Sequence, residues 1–273
     1  MKVAVFGLGI IGSIWAQHYE ADGVLAASWN RTPKPGLPKG VLRCLEAAQQ
    51  GELLHVVVSD PKAVLEVLTA ITPALGPGKT VVQSSTIDPE SAKTFCEMVQ
   101  RTGAYYVEAP FTGSKPAAEQ RATVYFLGGS SHALDTVEPV LSKISKKRFR
   151  LDTPAQAAAL KLSMNLQIAT VTQALIEGFT FAKNAGIADD VFFDVLSHNV
   201  ACSGLVALKG PKLQKDDFAP QFSVKHLLKD LRLALGVAGK SGLPATALLS
   251  EQLQRAVEAG FAEDDFIAIK KVL

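Results

Sequence analysis

The spacing of apolar and polar positions changes once along this chain. Up to about residue 151, short apolar runs alternate with longer amphipathic stretches. Residues 2–6 (Lys-Val-Ala-Val-Phe), 25–29, 55–58, 80–83 and 105–108 are runs of four or five mostly apolar residues, the pattern of strands buried on both faces. Helical patterns separate them: one over 11–20, one after Ser59-Asp60-Pro61, one opening at Asp88 with Pro89 in its first turn, and one over 131–141. Strand-like runs at 122–128 and 148–151 complete the series. Strands alternating with helices predict a parallel, doubly wound α/β sheet, with ligands held past the carboxyl ends of its strands. After Asp152-Thr153-Pro154 the period becomes helical throughout. One long helix spans 156–184, with Gly186 as its stop. Helices follow at 189–197, 224–239, 245–259 and 264–270, and a loop is expected over 199–210. The predicted organisation is a sheet domain over 1–153 and an all-α domain over 154–273, joined by the long helix. A long apolar helix exceeds what one small domain covers, which predicts a homodimer.

Composition adds mainly exclusions. Among 273 residues, hydrophobic side chains make up 48% and charged ones 20%, ordinary for a globular chain. A net charge of +2 provides no broad field for nucleic acid or a membrane surface, and the basic run at 143–150 fits a solvated helix end and strand start. Cys44, Cys96 and Cys202 are too scattered for a metal site or a disulfide framework, and the five histidines show no ligand spacing. No apolar run reaches membrane-spanning length, and Lys2 leads directly into a strand without signal-peptide anatomy. These features predict a cytoplasmic protein without a metal.

The first strand runs into Gly7-Leu8-Gly9-Ile10-Ile11-Gly12 and then a helix, which is G-x-G-x-x-G in its strand–turn–helix setting. Gly7 permits the tight turn, Gly9 lets the backbone approach a pyrophosphate, and Gly12 lets helix and strand pack closely. The helix N-terminus offers N–H groups to that phosphate. The sheet domain is therefore expected to be of the Rossmann type. The second strand ends in Asn30-Arg31-Thr32, where an NAD site usually carries Asp or Glu for the ribose 2′-hydroxyl. Asn30 and Thr32 offer hydrogen bonds, and Arg31 suits a 2′-phosphate unless it is a plain surface arginine in the loop that follows. The expectation is NADP(H). Val58, Ser59 and Thr86 end later strands and should converge on the same crevice, as should the loop after Glu108.

That loop carries Thr112-Gly113-Ser114 before a short helix. Its N–H groups and hydroxyls form a plausible carboxylate cradle, or simply a polar turn with a capping serine. Lys161 and Asn165 lie four residues apart on the long helix and so project from one face. A lysine among Ala, Leu and Met either snorkels at the helix edge or stands as a proton donor on the floor of a cleft.

In this order, the glycine turn, Asn30-Arg31-Thr32, Ser85-Thr86, Thr112-Gly113-Ser114 and Lys161/Asn165 resemble the β-hydroxyacid dehydrogenase family over essentially the whole chain. Phe111-Thr-Gly-Ser-Lys-Pro-Ala-Ala-Glu119 and Phe222-Ser-Val-Lys-His-Leu-Leu-Lys229-Asp230 are similar to its glyoxylate/succinic semialdehyde reductase branch. The resemblance implies Lys161 as catalytic acid/base and Asn165 as the residue orienting lysine and substrate. It also implies Thr112 and Gly113 on the substrate carboxylate, Phe222 and Asp230 lining the active site, Lys229 reaching the cofactor and Thr86 beside its nicotinamide. The chain departs from the family at Ala155 and Ala157, where glycines are usual, at Thr112 for the commoner serine, and at Ile10, where methionine often stands. The implied reaction is NADPH-dependent reduction of a short carboxylate-bearing aldehyde or keto acid. The alternatives are a 3-hydroxyisobutyrate dehydrogenase, an imine reductase, which usually lacks the lysine, and a non-catalytic NADP-binding scaffold.

Overall fold

A computed structural model describes residues 1–273 except Leu37, Leu42, Lys240 and Ser241, so part of the loop at 33–40 lies outside the described residues. The chain forms two compact units, Met1–Leu162 and Ser163–Leu273, divided inside the long helix rather than at its start.

The first unit contains β1 (Val3–Phe6), α1 (Ile10–Ala21), β2 (Leu25–Trp29), α2 (Cys44–Gln50), β3 (Leu53–Val56) and α3 (Pro61–Ile71). After these come β4 (Thr80–Gln83), α4 (Pro89–Gln100), β5 (Tyr105–Glu108), β6 (Phe111–Thr112), α5 (Ser114–Glu119), β7 (Thr123–Gly129), α6 (Ser131–Leu141) and β8 (Ser145–Leu151). The sheet runs in the order β2-β1-β3-β4-β5-β7-β6, with β8 on β7. From β2 to β5 every pairing is parallel. β7 enters antiparallel to β5 and β6, and β8 returns parallel to β7. Phe111–Thr112, read as loop from the sequence, is thus a short strand held against Tyr125 and Val124.

Two cores follow from the strand period. Val3 and Val5 face one side with Trp15, Leu25, Val82 and Val107, while Ala4 and Phe6 face the other with Leu54, Val56, Val81 and Tyr106. Both faces are covered, so each central strand is apolar along its length rather than alternating. Helix starts follow the local chemistry. Asp60 accepts the Ala63 N–H before Pro61, and Asp88 accepts the Ser91 N–H before Pro89, each at 2.8 Å. Strand 55–58 is displaced: β3 is Leu53–Val56, because Val57 makes the last ladder bond and Val58 already turns away.

The row Trp29, Phe6, Val56, Gln83 and Glu108 runs in register across five strands. All the turns proposed to meet a ligand therefore leave the sheet at one level.

α7 (Pro154–Asn184) carries the chain from the first unit into the second, and it ends where Gly186 takes φ 81° and the Ile187 N–H returns to the Ala182 carbonyl. The second unit holds α8 (Asp189–Ser197), α9 (Gly204–Gln214), α10 (Val224–Val237), α11 (Pro244–Glu258) and a terminal 3₁₀ helix, Phe266–Val272, where an α-helix was expected. The expected loop at 199–210 is largely α9. Gly204, Gly210 and Pro211 read as breakers, yet Gly210 is there for packing: a Cβ on it would stand 2.8 Å from the Phe193 ring. Leu205, Val206 and Leu213 bind the helix to the core and offset its poor propensity. Among the described residues, no helix is long and apolar enough to cross a membrane.

His55 sits fully buried in β3, stacked on Trp15 at 4.9 Å, with Nδ1 3.2 Å from the Tyr19 hydroxyl and Nε2 2.9 Å from Ser84 Oγ. It is a packing residue, and burial pulls its pKa down to about 3. The unfolded chain protonates this ring near 6.5, so its contribution to stability is full above that pH and is lost as pH falls towards 3. Replacing it, as His55→Gln, should flatten the fall in melting temperature between pH 6.5 and 4.5 relative to wild type; an unchanged slope would exclude this role.

Candidate active site

The glycine turn shows its selection directly. Gly7 adopts φ 95°, and a Cβ there would meet the Val57 carbonyl oxygen at 2.2 Å. On Gly12 it would lie 1.9 Å from the Gly7 oxygen. On Gly9, however, it would meet nothing within 4 Å. The protein therefore excludes side chains at Gly7 and Gly12 for its own packing, while the space at Gly9 is open. Gly9 is also the N-cap of α1, with no side chain capping the helix. An open backbone face at a helix N-terminus without a side-chain cap fits a dinucleotide pyrophosphate. Leu8 is buried behind the turn, Ile10 is exposed at its mouth, and Ile11 packs against the core.

Asn30 braces this turn: its Oδ1 accepts the Leu8 N–H at 2.8 Å and its Nδ2 donates to the Thr32 carbonyl at 2.7 Å. Arg31 is exposed, with one long ion pair to Glu66 at 3.4 Å. Such a pair holds an exposed arginine weakly, so it can re-pair with a phosphate. Sequence reasoning passed over Lys34, whose ammonium donates to the Leu8 carbonyl at 2.6 Å and so stands at the turn. It was hidden in a Pro/Lys/Gly loop whose position only tertiary structure reveals.

Further across the sheet, the Val58 N–H donates to Ser85 Oγ at 2.8 Å, and Ser59 is exposed with its hydroxyl on Asp60. Thr86 is half-buried just past Ser85. Beyond β6, Gly113 takes φ 124° and Ser114 φ 53°, so the turn holds a serine in the left-handed region directly after a glycine there. A Cβ on Gly113 would lie 2.6 Å from the Ala117 methyl. Lys161 reaches the same region, with Nζ 6.0 Å from the centroid of the Phe111 ring, beside Thr112. Phe111 is itself wedged edge-on against Trp15 at 4.7 Å. The structure thus brings Lys161 to the Thr112 strand within the first unit.

The second unit gathers a set of its own. Buried Asn165 donates from Nδ2 to Asp230 Oδ2 at 2.5 Å, and Lys229 Nζ pairs with Asp230 Oδ1 at 2.8 Å. Phe222 is half-buried, edge-on to Phe266 at 5.8 Å. Its loop is anchored by a pair the sequence reading did not single out. Lys209 and Asp265, both buried, lie 2.8 Å apart; Lys209 also donates to Gln221 Oε1, and Asp265 accepts the Gln221 N–H at 2.9 Å. A lysine in an apparent loop and an aspartate before an apolar tail gave no signal of their pairing across 56 positions.

Residues 2–152 match the family model described as the NAD binding domain of 6-phosphogluconate dehydrogenase, and residues 155–273 match that of NADP-dependent 3-hydroxyisobutyrate dehydrogenase. The chain belongs to the β-hydroxyacid dehydrogenase family.

Among relatives in this family, glyoxylate/succinic semialdehyde reductase 2, chloroplastic, from Arabidopsis thaliana is 29% identical, over 100% of this chain and 79% of its own length. Glyoxylate/succinic semialdehyde reductase 1 from the same plant is 27% identical, over 98% and 97%. The crystal structure of 3-hydroxyisobutyrate dehydrogenase from Salmonella typhimurium shares the fold with a TM-score of 0.90 at 24% identity, covering all of both chains. The β-hydroxyacid dehydrogenase assignment makes this chain an NAD(P)-dependent hydroxyacid dehydrogenase or reductase. Of the two alanines that stand for the family's usual glycines, Ala157 is fully buried and Ala155 half-buried.

Removing one partner of a buried pair strands the other charge, which costs about 3–5 kcal/mol. Lys209→Ala should lower the unfolding free energy by that order in urea titrations. A change below about 1 kcal/mol would show that the pair does not anchor the Phe222 loop.

Proposed function

We propose that the chain is an NADPH-dependent reductase of short carboxylate-bearing aldehydes or keto acids, of the glyoxylate or succinic semialdehyde kind, with Lys161 as general acid/base. The observation that carries this reading is Lys161 standing beside the Phe111–Thr112 strand, next to a turn with two left-handed residues. A bound nicotinamide supplies the hydride. The chain's own groups do the remaining work. Gly9 and the first turn of α1 receive the pyrophosphate, while Arg31, with Lys34 at the turn, meets the 2′-phosphate. N–H groups and hydroxyls of Thr112, Gly113 and Ser114 hold the substrate carboxylate. As the carbonyl is reduced, the Lys161 ammonium passes a proton from Nζ to its oxygen; in the reverse direction the neutral amine takes it back. A positioned acid of this kind contributes about 10²–10⁴-fold in rate. Asn165, Phe222, Lys229 and Asp230 are assigned to alignment of substrate and cofactor, on the resemblance and on their contacts with one another or, for Phe222, with Phe266.

A 3-hydroxyisobutyrate dehydrogenase is the second reading, favoured by the description of the family model that matches residues 155–273. We further propose a homodimer, since α7 carries Phe181 at 77% exposure, a side chain that a second copy would cover, and a cytoplasmic location on the sparse, scattered cysteines. Light scattering at micromolar concentration should give twice the chain mass; a monomer would reject it.

The deciding assay is NADPH oxidation with glyoxylate, succinic semialdehyde, methylmalonate semialdehyde and a cyclic imine, with NADH in parallel. Fast turnover of either of the first two with NADPH supports the proposal. Preference for methylmalonate semialdehyde favours the second reading, and preference for the imine rejects both. Lys161→Ala should lower kcat by about 10²–10⁴-fold with NADPH affinity intact. Arg31→Ala should raise KM for NADPH about tenfold and leave that for NADH unchanged, as loss of one charge-assisted hydrogen bond requires. Equal effects on both cofactors would refute the 2′-phosphate contact.

A further inference from the structure

The first unit contains a buried polar line for which the proposed reaction has no use. Glu108, fully buried at the carboxyl end of β5, accepts from Gln83 Nε2 at 2.9 Å and shares a hydrogen bond of 2.6 Å with the Tyr106 hydroxyl. Gln83, also fully buried, donates from the same Nε2 to the Ser85 carbonyl at 3.0 Å, and its Oε1 accepts the Ser85 N–H at 2.5 Å. Ser85 Oγ then accepts the Val58 N–H. The line begins on β5, passes through the turn after β4 and ends on the turn after β3.

Its position explains its polarity. Along this edge the backbone ladder stops: the Val57 N–H reaches the Phe6 carbonyl, the Ser84 N–H reaches Val56 and the Ala109 N–H reaches Gln83. The next N–H groups on the two inner turns, those of Val58 and Ser85, are held by side chains instead. An apolar pair at 83 and 108 would fill the same space at lower desolvation cost, but it would leave the Ser85 amide without its acceptor and so loosen the serine that holds the Val58 amide. The polar residues thus extend the order of the sheet one residue beyond its own hydrogen bonds, at the two turns that carry Val58 and Thr86.

We propose that Gln83, Glu108 and Ser85 are positioning residues for the nicotinamide half of the cofactor, fixing the Val58 and Thr86 turns at the spacing that half requires. This rests on the reductase reading above. Burial pushes the Glu108 carboxyl up to about 8, and the Asp88 charge at the start of α4 adds to the rise, while the bonds from Tyr106 and Gln83 restrain it. Cys96 of α4 faces it as well, its own thiol pushed up by burial and by Glu108. At neutral pH Glu108 is therefore an uncharged link, whose carboxyl proton occupies the bond to the Tyr106 oxygen while its other oxygen accepts from Gln83. Above pH 8 it ionises with no cation among the groups that perturb it: the Tyr106 hydroxyl must turn to donate, a buried charge is left at the end of the line, and the line is disturbed.

The test measures NADPH affinity by fluorescence at pH 7 and pH 9, together with kcat, KM and melting temperature. Ser85→Ala and Gln83→Met should each weaken NADPH about tenfold, the worth of one hydrogen bond, with the melting temperature of Ser85→Ala within a few degrees of wild type. Glu108→Gln keeps an acceptor for Gln83 and a donor for Tyr106. It should bind as wild type does at pH 7 and lose the fall in affinity that wild type shows at pH 9. Unchanged affinity in Ser85→Ala and Gln83→Met, or the same fall at pH 9 in Glu108→Gln, overturns the inference. A wild type that binds neither NADPH nor NADH removes the reductase reading and this inference together. One that binds NADPH without reducing any aldehyde rejects the reductase reading only, and the variants' affinities still decide the positioning role.

Discussion

A parallel sheet runs out of backbone partners at its carboxyl edge, and the first unit is organised around how that shortage is met. Every N–H past the last rung must find a side chain, a ligand or water, since a buried amide left unpaired costs about 1–3 kcal/mol. Because five strands end in register, the shortage falls on one line across the molecule. This chain meets it in three ways. Asn30 takes the Leu8 amide, Ser85 and Gln83 take those of Val58 and Ser85, and the open face at Gly9 is left to a ligand. Order at the sheet edge and capacity to bind a dinucleotide thus come from the same geometry.

The helical unit faces a related problem with different means. A short unit of separate helices has no ladder to fix its loops, and the segment carrying Phe222 has little regular structure of its own. A buried ion pair replaces the ladder: Asp265 collects the Lys209 ammonium and the Gln221 amide. The Phe266 N–H then bonds to the Phe222 carbonyl. Such a pair adds little net stability over apolar packing but permits few alternative arrangements, so it fixes the loop that carries Phe222. Asn165 and Asp230 act similarly between α7 and α10, with Lys229 closing the set.

What the sequence made legible is what local physics decides. The glycine turn, the Asp60-Pro61 and Asp88-Pro89 helix starts and the apolar strands each announce themselves within a few residues, and the structure places them accordingly. Local signals failed where a distant partner reversed their meaning. Gly210 resembles a helix breaker until Phe193 is seen lying against it. Phe111–Thr112 resembles loop until β7 supplies antiparallel partners. Gln83 and Glu108 are 25 positions apart, and only the strand register makes them neighbours. Lys34 and Lys209 belong to the same class: each is an ordinary lysine in a polar stretch whose contacts are set by the fold.

The alanines before Lys161 bear on how far the family's chemistry carries over. A methyl group in place of hydrogen would matter most if it projected into the space a cofactor needs. Ala157 is fully buried, its amide bonded to the Thr153 carbonyl in the first turn of α7, and Ala158 beside it belongs to the sheet core. Its methyl is therefore enclosed by protein within the first unit. Gly128 contributes to this: a Cβ there would stand 2.3 Å from the Thr153 oxygen, so glycine at that point of β7 lets the start of α7 lie directly on the sheet. A helix seated that closely needs small residues on its packed face, and alanine is small enough while favouring helix over glycine by about 1 kcal/mol. Alanine at these positions therefore favours the helical turn that leads to Lys161, which in this chain stands beside Phe111.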